Sequence, residues 1–274
     1  MIAIFAACSS FDDVESSSDA DSGSDSASAI DASAGDASES NDAAAADAFE
    51  TGAPPGMILV STAAASFWID AREVTTGEFT AFKEKVVQTN GDAGFPSVCS
   101  FKVDLGPTNT CNGKPPTTAV GCVDWCDAFV YCQAAGKRLC GRINGGAPLG
   151  PGDLGDRFKS EWARACAGPL GMEWPYGAFP DASACNTNEA PGEEAYDAGA
   201  FPDCVGGEPG LFDMSGNVEE LGDNCVGDAG ASDGCFGHGG SFVRFAANSR
   251  CQDTYPITRD QAATHIGFRC CKDP

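Results

Sequence analysis

Apolar positions along this chain keep a strand period first, then a helical one, and after that neither. Met57 to Val60 and Phe67 to Ile69 are short apolar runs bounded by Gly, Ser and Thr, and both predict strands. Thr75-x-x-Glu78 then reads as a capping box, and Phe79, Phe82 and Val86 follow at i, i+3 and i+7 on one helix face. Residues 89–116, rich in Gly, Pro, Asn and Thr, predict a loop stapled by its own Cys99 and Cys111. A second helix is expected from Asp124 as cap, burying Trp125, Ala128, Phe129 and Cys132 and stopping at Gly136. A third, over Asp156 to Ala167, would turn Phe158, Trp162, Ala165 and Cys166 inward before Gly168. Beyond it no long periodic segment appears, and Trp174, Tyr176, Phe179, Phe201 and Phe212 alternate as anchors with turn residues. The expectation is an α+β fold low in regular structure, stabilised by cross-links and a metal ion rather than by long ladders.

Charge divides the chain. Ser9 to Glu50 holds twelve acidic residues and no basic one among Ser, Ala and Gly, and the first basic residue of the whole sequence is Arg72. Too little apolar surface is present there to offset the entropy of ordering it, so residues 9–53 are expected to form a disordered, self-repelling acidic linker and 54–274 a single folded domain. With a net charge of −24 and no basic stripe, nucleic acid is excluded as a partner, and a membrane is reached only through an attached lipid.

Fifteen cysteines point to an oxidising, extracytoplasmic compartment. The odd number singles out Cys8. Residues 1–8, Met-Ile-Ala-Ile-Phe-Ala-Ala-Cys, resemble the end of a bacterial lipoprotein signal, with Cys8 as the lipidated residue of a cell-envelope protein. The absent basic region and short apolar run would follow from a start placed too far downstream. Fourteen cysteines then remain, and proximity along the chain pairs Cys99 with Cys111, Cys185 with Cys204 and Cys225 with Cys235.

The densest chemistry lies in Gly210 to Leu221, where core residues Leu211, Phe212 and Met214 lead into the turn Ser215-Gly216-Asn217, flanked by Asp213, Glu219 and Glu220. Such a turn aims carbonyls and carboxylates the same way, as a hard cation requires. Gly239-Gly240-Ser241-Phe242 and Ile266-Gly267-Phe268-Arg269-Cys270 follow. His238 and His265 are the only histidines, too few for a histidine-rich zinc site, and Gly237-His238-Gly239-Gly240 lacks the Gly-x-Ser-x-Gly partner a serine hydrolase would need.

Together with Asp70 to Phe82, Val123-Asp124-Trp125, Gly136 to Leu139, Ser160-Glu161-Trp162 and Pro175-Tyr176-Gly177, these stretches resemble, in order, the formylglycine-generating enzymes, or sulfatase-modifying factor domains. The resemblance spans about residues 56–271 and implies a compact domain similar to C-type lectin-like folds. It implies bridges Cys132–Cys270 and Cys166–Cys251, with Cys122, Cys126, Cys140 and Cys271 left open. It also implies a calcium site from Asp213, the carbonyls of Gly216 and Val218, and Glu220, whose oxygen donors suit Ca2+. A second family calcium site maps only loosely onto Asn186 and Thr187.

The family's catalysts use oxygen and a copper(I) ion on two thiolates to oxidise a sulfatase cysteine to formylglycine. Those two positions fall here on Arg244 and Ser249, Ser241 matches the neighbouring serine, and Glu219 and Leu221 stand where the family has tryptophans. The leading expectation is therefore a surface-tethered member with a degenerate copper site, acting as a binding or scaffold module for a protein, peptide or glycan. The alternative is an oxidoreductase that still makes formylglycine through a shifted copper site on Cys251 with Cys271 or Cys270.

Overall fold

A computed structural model describes residues 52–88, 93–107, 111–189 and 191–274. Cys8, the signal-like residues 1–8 and nearly all of the acidic stretch 9–53 lie outside them.

Two small sheets carry the domain. Strands β1 (Met57–Ser61) and β2 (Ser66–Asp70) form a hairpin, and the chain's other end adds β10 (Cys270–Lys272) between β2 and β3 (Arg138–Leu139), all antiparallel. The second sheet has the order β8 (Thr254–Thr258), β7 (Gly234–His238), β6 (Glu219–Leu221), β9 (Ile266–Phe268), with β6 and β9 parallel. A short pair, β4 (Val205–Gly206) and β5 (Glu208–Phe212), stands apart. Because β9 and β10 are separated only by Arg269, that residue joins the two sheets covalently.

Helix α1 spans Thr76–Gln88, and its capping box is made: Thr75 N and Oγ1 both donate to Glu78 Oε2 at 2.8 Å. Phe79 is fully buried and stacks on Tyr131, while Phe82 and Val86 are half-buried. Helix α2, Trp125–Ala134, starts at Asp124, which accepts from Asp127 N at 3.0 Å while Asp127 accepts from Asp124 N. Trp125, Ala128 and Cys132 are buried; Phe129 is half-buried, stacked on Trp125 at 4.9 Å.

Helix α3 is shorter than expected, Glu161–Ala167, capped by Ser160 on Ala163 N. Asp156 is the reason. Its side chain accepts from Phe158 N and its carbonyl from Lys159 N, a side-chain-locked turn that competes with helix. Phe158 consequently points outward, 73% exposed, against the expectation that it packs inward. Phe179, expected to anchor the C-terminal half, is also exposed.

All fourteen cysteines from Cys99 onward are paired: Cys99–Cys126, Cys111–Cys122, Cys132–Cys270, Cys140–Cys271, Cys166–Cys251, Cys185–Cys204 and Cys225–Cys235. The Cys99–Cys111 staple is a misreading. Lys102 reaches Asp124 and Asp127 at 2.8 and 2.9 Å, and Gly106 N donates to Asp127, so the segment after Cys99 is held on the first turn of α2, where Cys126 sits. Peptide mapping under non-reducing conditions should recover Cys99 joined to Cys126 and Cys111 to Cys122; a peptide linking Cys99 to Cys111 would contradict this arrangement.

Candidate functional site

The loop after β7 begins at Gly239 and Gly240, both with φ near +75° (79° and 71°). A side chain on Gly239 would strike the Trp162 ring, and one on Gly240 would strike Ser249, so glycine is required twice. This turn delivers Ser241, which is fully buried with its hydroxyl 3.4 Å from Glu219 Oε1. Arg244 Nε donates to the same Oε1 at 2.8 Å, and its guanidinium lies 3.9 Å over the Tyr255 ring. Glu219 is fully buried, and its Oε2 has no partner. Ser249 faces the interior of its own turn, its hydroxyl donating to Phe245 O at 3.2 Å. His265, half-buried, contributes its carbonyl to Glu219 N; burial lowers its imidazole pKa below the usual value, against the attraction of Glu219.

Arg244 and Ser249, onto which the family resemblance maps the copper positions, carry no thiolate. The residues do not fit a copper(I) centre, which soft sulfur ligands would hold. Cys251 does not restore one, since it is bonded to Cys166, and Cys270 and Cys271 are bonded to Cys132 and Cys140. A disulfide sulfur is not a thiolate ligand.

Behind this loop lies a charged core. Arg269 is buried and makes a forked pair with Glu220, Nε to Oε2 at 2.6 Å and Nη2 to Oε1 at 2.7 Å, while Trp162 Nε1 donates to Oε2 at 2.8 Å. Asp213 and Glu73 stand nearby. Burial raises the Asp213 carboxyl to about 6, and burial followed by repulsion from Asp213 and Glu220 pushes Glu73 well above the carboxylate range. Glu73 also accepts from Asn217 Nδ2 at 2.8 Å and Val218 N at 3.2 Å, fixing the turn; sequence reading passed over it because it sits in an ordinary strand-to-helix link.

Of the expected calcium donors, Asp213 and Glu220 are brought together around Arg269 by the positive-φ turn Asp213, Gly216, Asn217. Asp213 Oδ2 accepts from Gly199 N at 2.5 Å, its buried Oδ1 is left without a hydrogen bond, and among the described residues no three His, Cys, Asp or Glu side chains are grouped as metal ligands. Glu220 fits less freely, because three of its roughly four acceptor sites are used by Arg269 and Trp162. Asn186 and Thr187 are both fully buried, and Asn186 Nδ2 bonds Asn217 Oδ1 at 3.0 Å instead of facing an open site. His238 is structural: it stacks on Trp162, accepts at Nε2 from Asn224 and is held down to about 4 by burial, hence neutral.

Two small sheets and three short helices, joined by seven disulfides around a buried arginine, define a domain of the formylglycine-generating-enzyme-like fold. Residues 34–274 match the model of the sulfatase-modifying factor enzyme 1-like domain, and the chain belongs to that family. Three solved structures share the fold: CarF, at 20% identity and TM-score 0.50 over 76% of this chain and 87% of that one; PvdO from Pseudomonas aeruginosa, at 21% and 0.51 over 76% and 81%; and Treponema denticola variable protein 1, at 17% and 0.50 over 76% and 85%. No curated protein matches the chain.

The Glu220–Arg269 pair should dominate stability. Glu220→Gln leaves a buried guanidinium short of its main countercharge, and a loss of about 3–5 kcal/mol in urea unfolding with disulfides intact is expected. A loss below about 1 kcal/mol would show that Glu73 and Asp213 suffice.

Proposed function

We propose that this protein is an extracytoplasmic binding or scaffold module of the sulfatase-modifying factor family in which the copper oxidase centre has been replaced by a charged recognition site, the domain being tethered through the acidic segment and a lipid on Cys8. The observation that carries the reading is the Arg244–Glu219 pair: a guanidinium and a buried carboxylate where a copper thiolate and a tryptophan belong in the family pattern. Around that pair the surface offers what interfaces use. Val243 and Phe245 are 40% and 54% exposed, and Arg244 lies on Tyr255. Aromatic residues and arginine in such a cluster favour a protein, peptide or glycan ligand. Seven disulfides support an oxidising compartment, and among the described residues no helix is long and apolar enough to cross a membrane.

Copper(I) titration of the full chain tests this reading. No tight one-to-one complex is expected, and a sulfatase-type cysteine peptide incubated with oxygen should keep its thiol. A tight complex abolished by Cys251→Ser would overturn it.

A structural calcium ion on Asp213 belongs to the same reading, supported by the unpartnered Oδ1. An ion bound only to the native state stabilises it by mass action. EDTA should therefore lower the melting temperature by a few degrees, Asp213→Ala should give the same lowering without chelator, and an unchanged melt would remove the ion from the reading.

A further inference from the structure

Arg157 differs from every other arginine among the described residues. Arg72, Arg138, Arg142, Arg164, Arg244, Arg250, Arg259 and Arg269 each have a carboxylate within ion-pair distance. Arg157 has none among the described residues. Its guanidinium lies 4.5 Å over the Phe158 ring, and Nη1 donates to the Pro169 carbonyl at 3.0 Å and, at 3.5 Å, to that of Gly168. The other N–H groups of its fork have no partner among the described residues.

Arg157 stands on the wall of an open cavity of about 570 Å3, a size within the roughly 300–1,000 Å3 of small-molecule sites. The remaining wall is chiefly apolar: Ala63, Ala64, Ile143, Phe158 and Pro169. Phe158 belongs to the same turn that Asp156 locks, which is why its ring stands in solvent and not in the core. A second cation, Arg164, reaches the wall already neutralised by Glu208 at 2.8 Å. Arg157 is thus the one charged residue of this wall without a carboxylate partner among the described residues, its guanidinium flanked by the Phe158 ring and by Gly171.

We propose that this cavity binds a medium-chain acyl carboxylate, its head group on Arg157 and its chain along Ala63, Ala64, Ile143 and Phe158. The site is separate from the Arg244 loop and does not depend on it. Charge selects an anion, since a carboxylate pairs with a planar guanidinium through two parallel bonds. The walls select a chain without amides. Thr62 spends its hydroxyl inside its own turn, donating to Ala65 O at 2.7 Å and accepting from Ala65 N and Ala64 N. The Ser61 carbonyl is taken by Arg164 at 2.9 Å, and the Pro169 carbonyl by Arg157. A peptide laid in the trough would give up water from its backbone and find these groups already paired.

The test is calorimetric titration of the full chain with decanoate, kept below its micelle-forming concentration. Saturable one-to-one binding is expected, weakened about ten-fold or more by Arg157→Gln and less by Arg157→Lys, which keeps the charge without the two-bond fork. Decan-1-ol should bind about ten-fold more weakly than decanoate. Arg157 also holds the Gly168 and Pro169 carbonyls, so each variant is titrated below the melting temperature measured for it; Ala64→Trp, at an exposed turn position away from those bonds, should block the trough independently. Absence of saturable binding, equal affinity in Arg157→Gln, or tighter binding of N-acetyl-leucyl-phenylalanine than of decanoate would overturn the proposal, the last by assigning the trough to a peptide end.

Discussion

The buried guanidinium of Arg269 is the constraint on which this architecture depends. It sits between β9 and β10, so it belongs to both sheets at once. From there it holds Glu220 on β6, the Asp70 carbonyl at the end of β2 at 3.2 Å and the Phe212 carbonyl at the end of β5 at 2.8 Å. Glu220 in turn holds Trp162 of α3. A charge so deeply buried is tolerable only when its fork meets acceptors, so β2, β5 and β6, with α3 behind Glu220, must arrive at fixed positions together. Few long-range interactions in a domain with such short strands impose a comparable geometric demand.

Disulfides do the complementary work. The Cys132–Cys270 and Cys140–Cys271 bridges both end on β10, fastening it to α2 and to the segment just after β3. Cys166–Cys251 attaches α3 to the loop that carries Arg244 and Ser249. The Arg244 loop is thus held by two glycine turns at one end and a covalent bridge at the other. Its backbone is fixed without a metal, and a fixed loop lowers the ordering cost of any ligand it receives.

Sequence reading recovers what local physics decides. Thr75 with Glu78, and Asp124 before an apolar face, declare α1 and α2 because capping is settled within four residues. The β1–β2 hairpin shows for the same reason, its apolar runs being short and bounded. The expectation fails where a distant or side-chain partner decides. Asp156 shortens α3 by bonding to Phe158 N, and Lys102 draws the Cys99 segment to α2 through two aspartates more than twenty residues on. Asp213 and Glu220 are visible in the turn, but their encounter with Glu73 depends on a segment about 140 residues earlier and has no local signature.

At the Arg244 loop, two charged residues explain one another. A carboxylate alone at the depth of Glu219, with 0% exposure, would leave a buried charge uncompensated. Arg244 alone would have reached outward. Together they form a 2.8 Å pair in which the guanidinium caps the buried acid and spreads its own face on Tyr255. Pairing satisfies Oε1 and leaves Oε2 bare. The pair therefore makes this position hard and charged, with Arg244 as its solvent-facing half and Glu219 as its buried half.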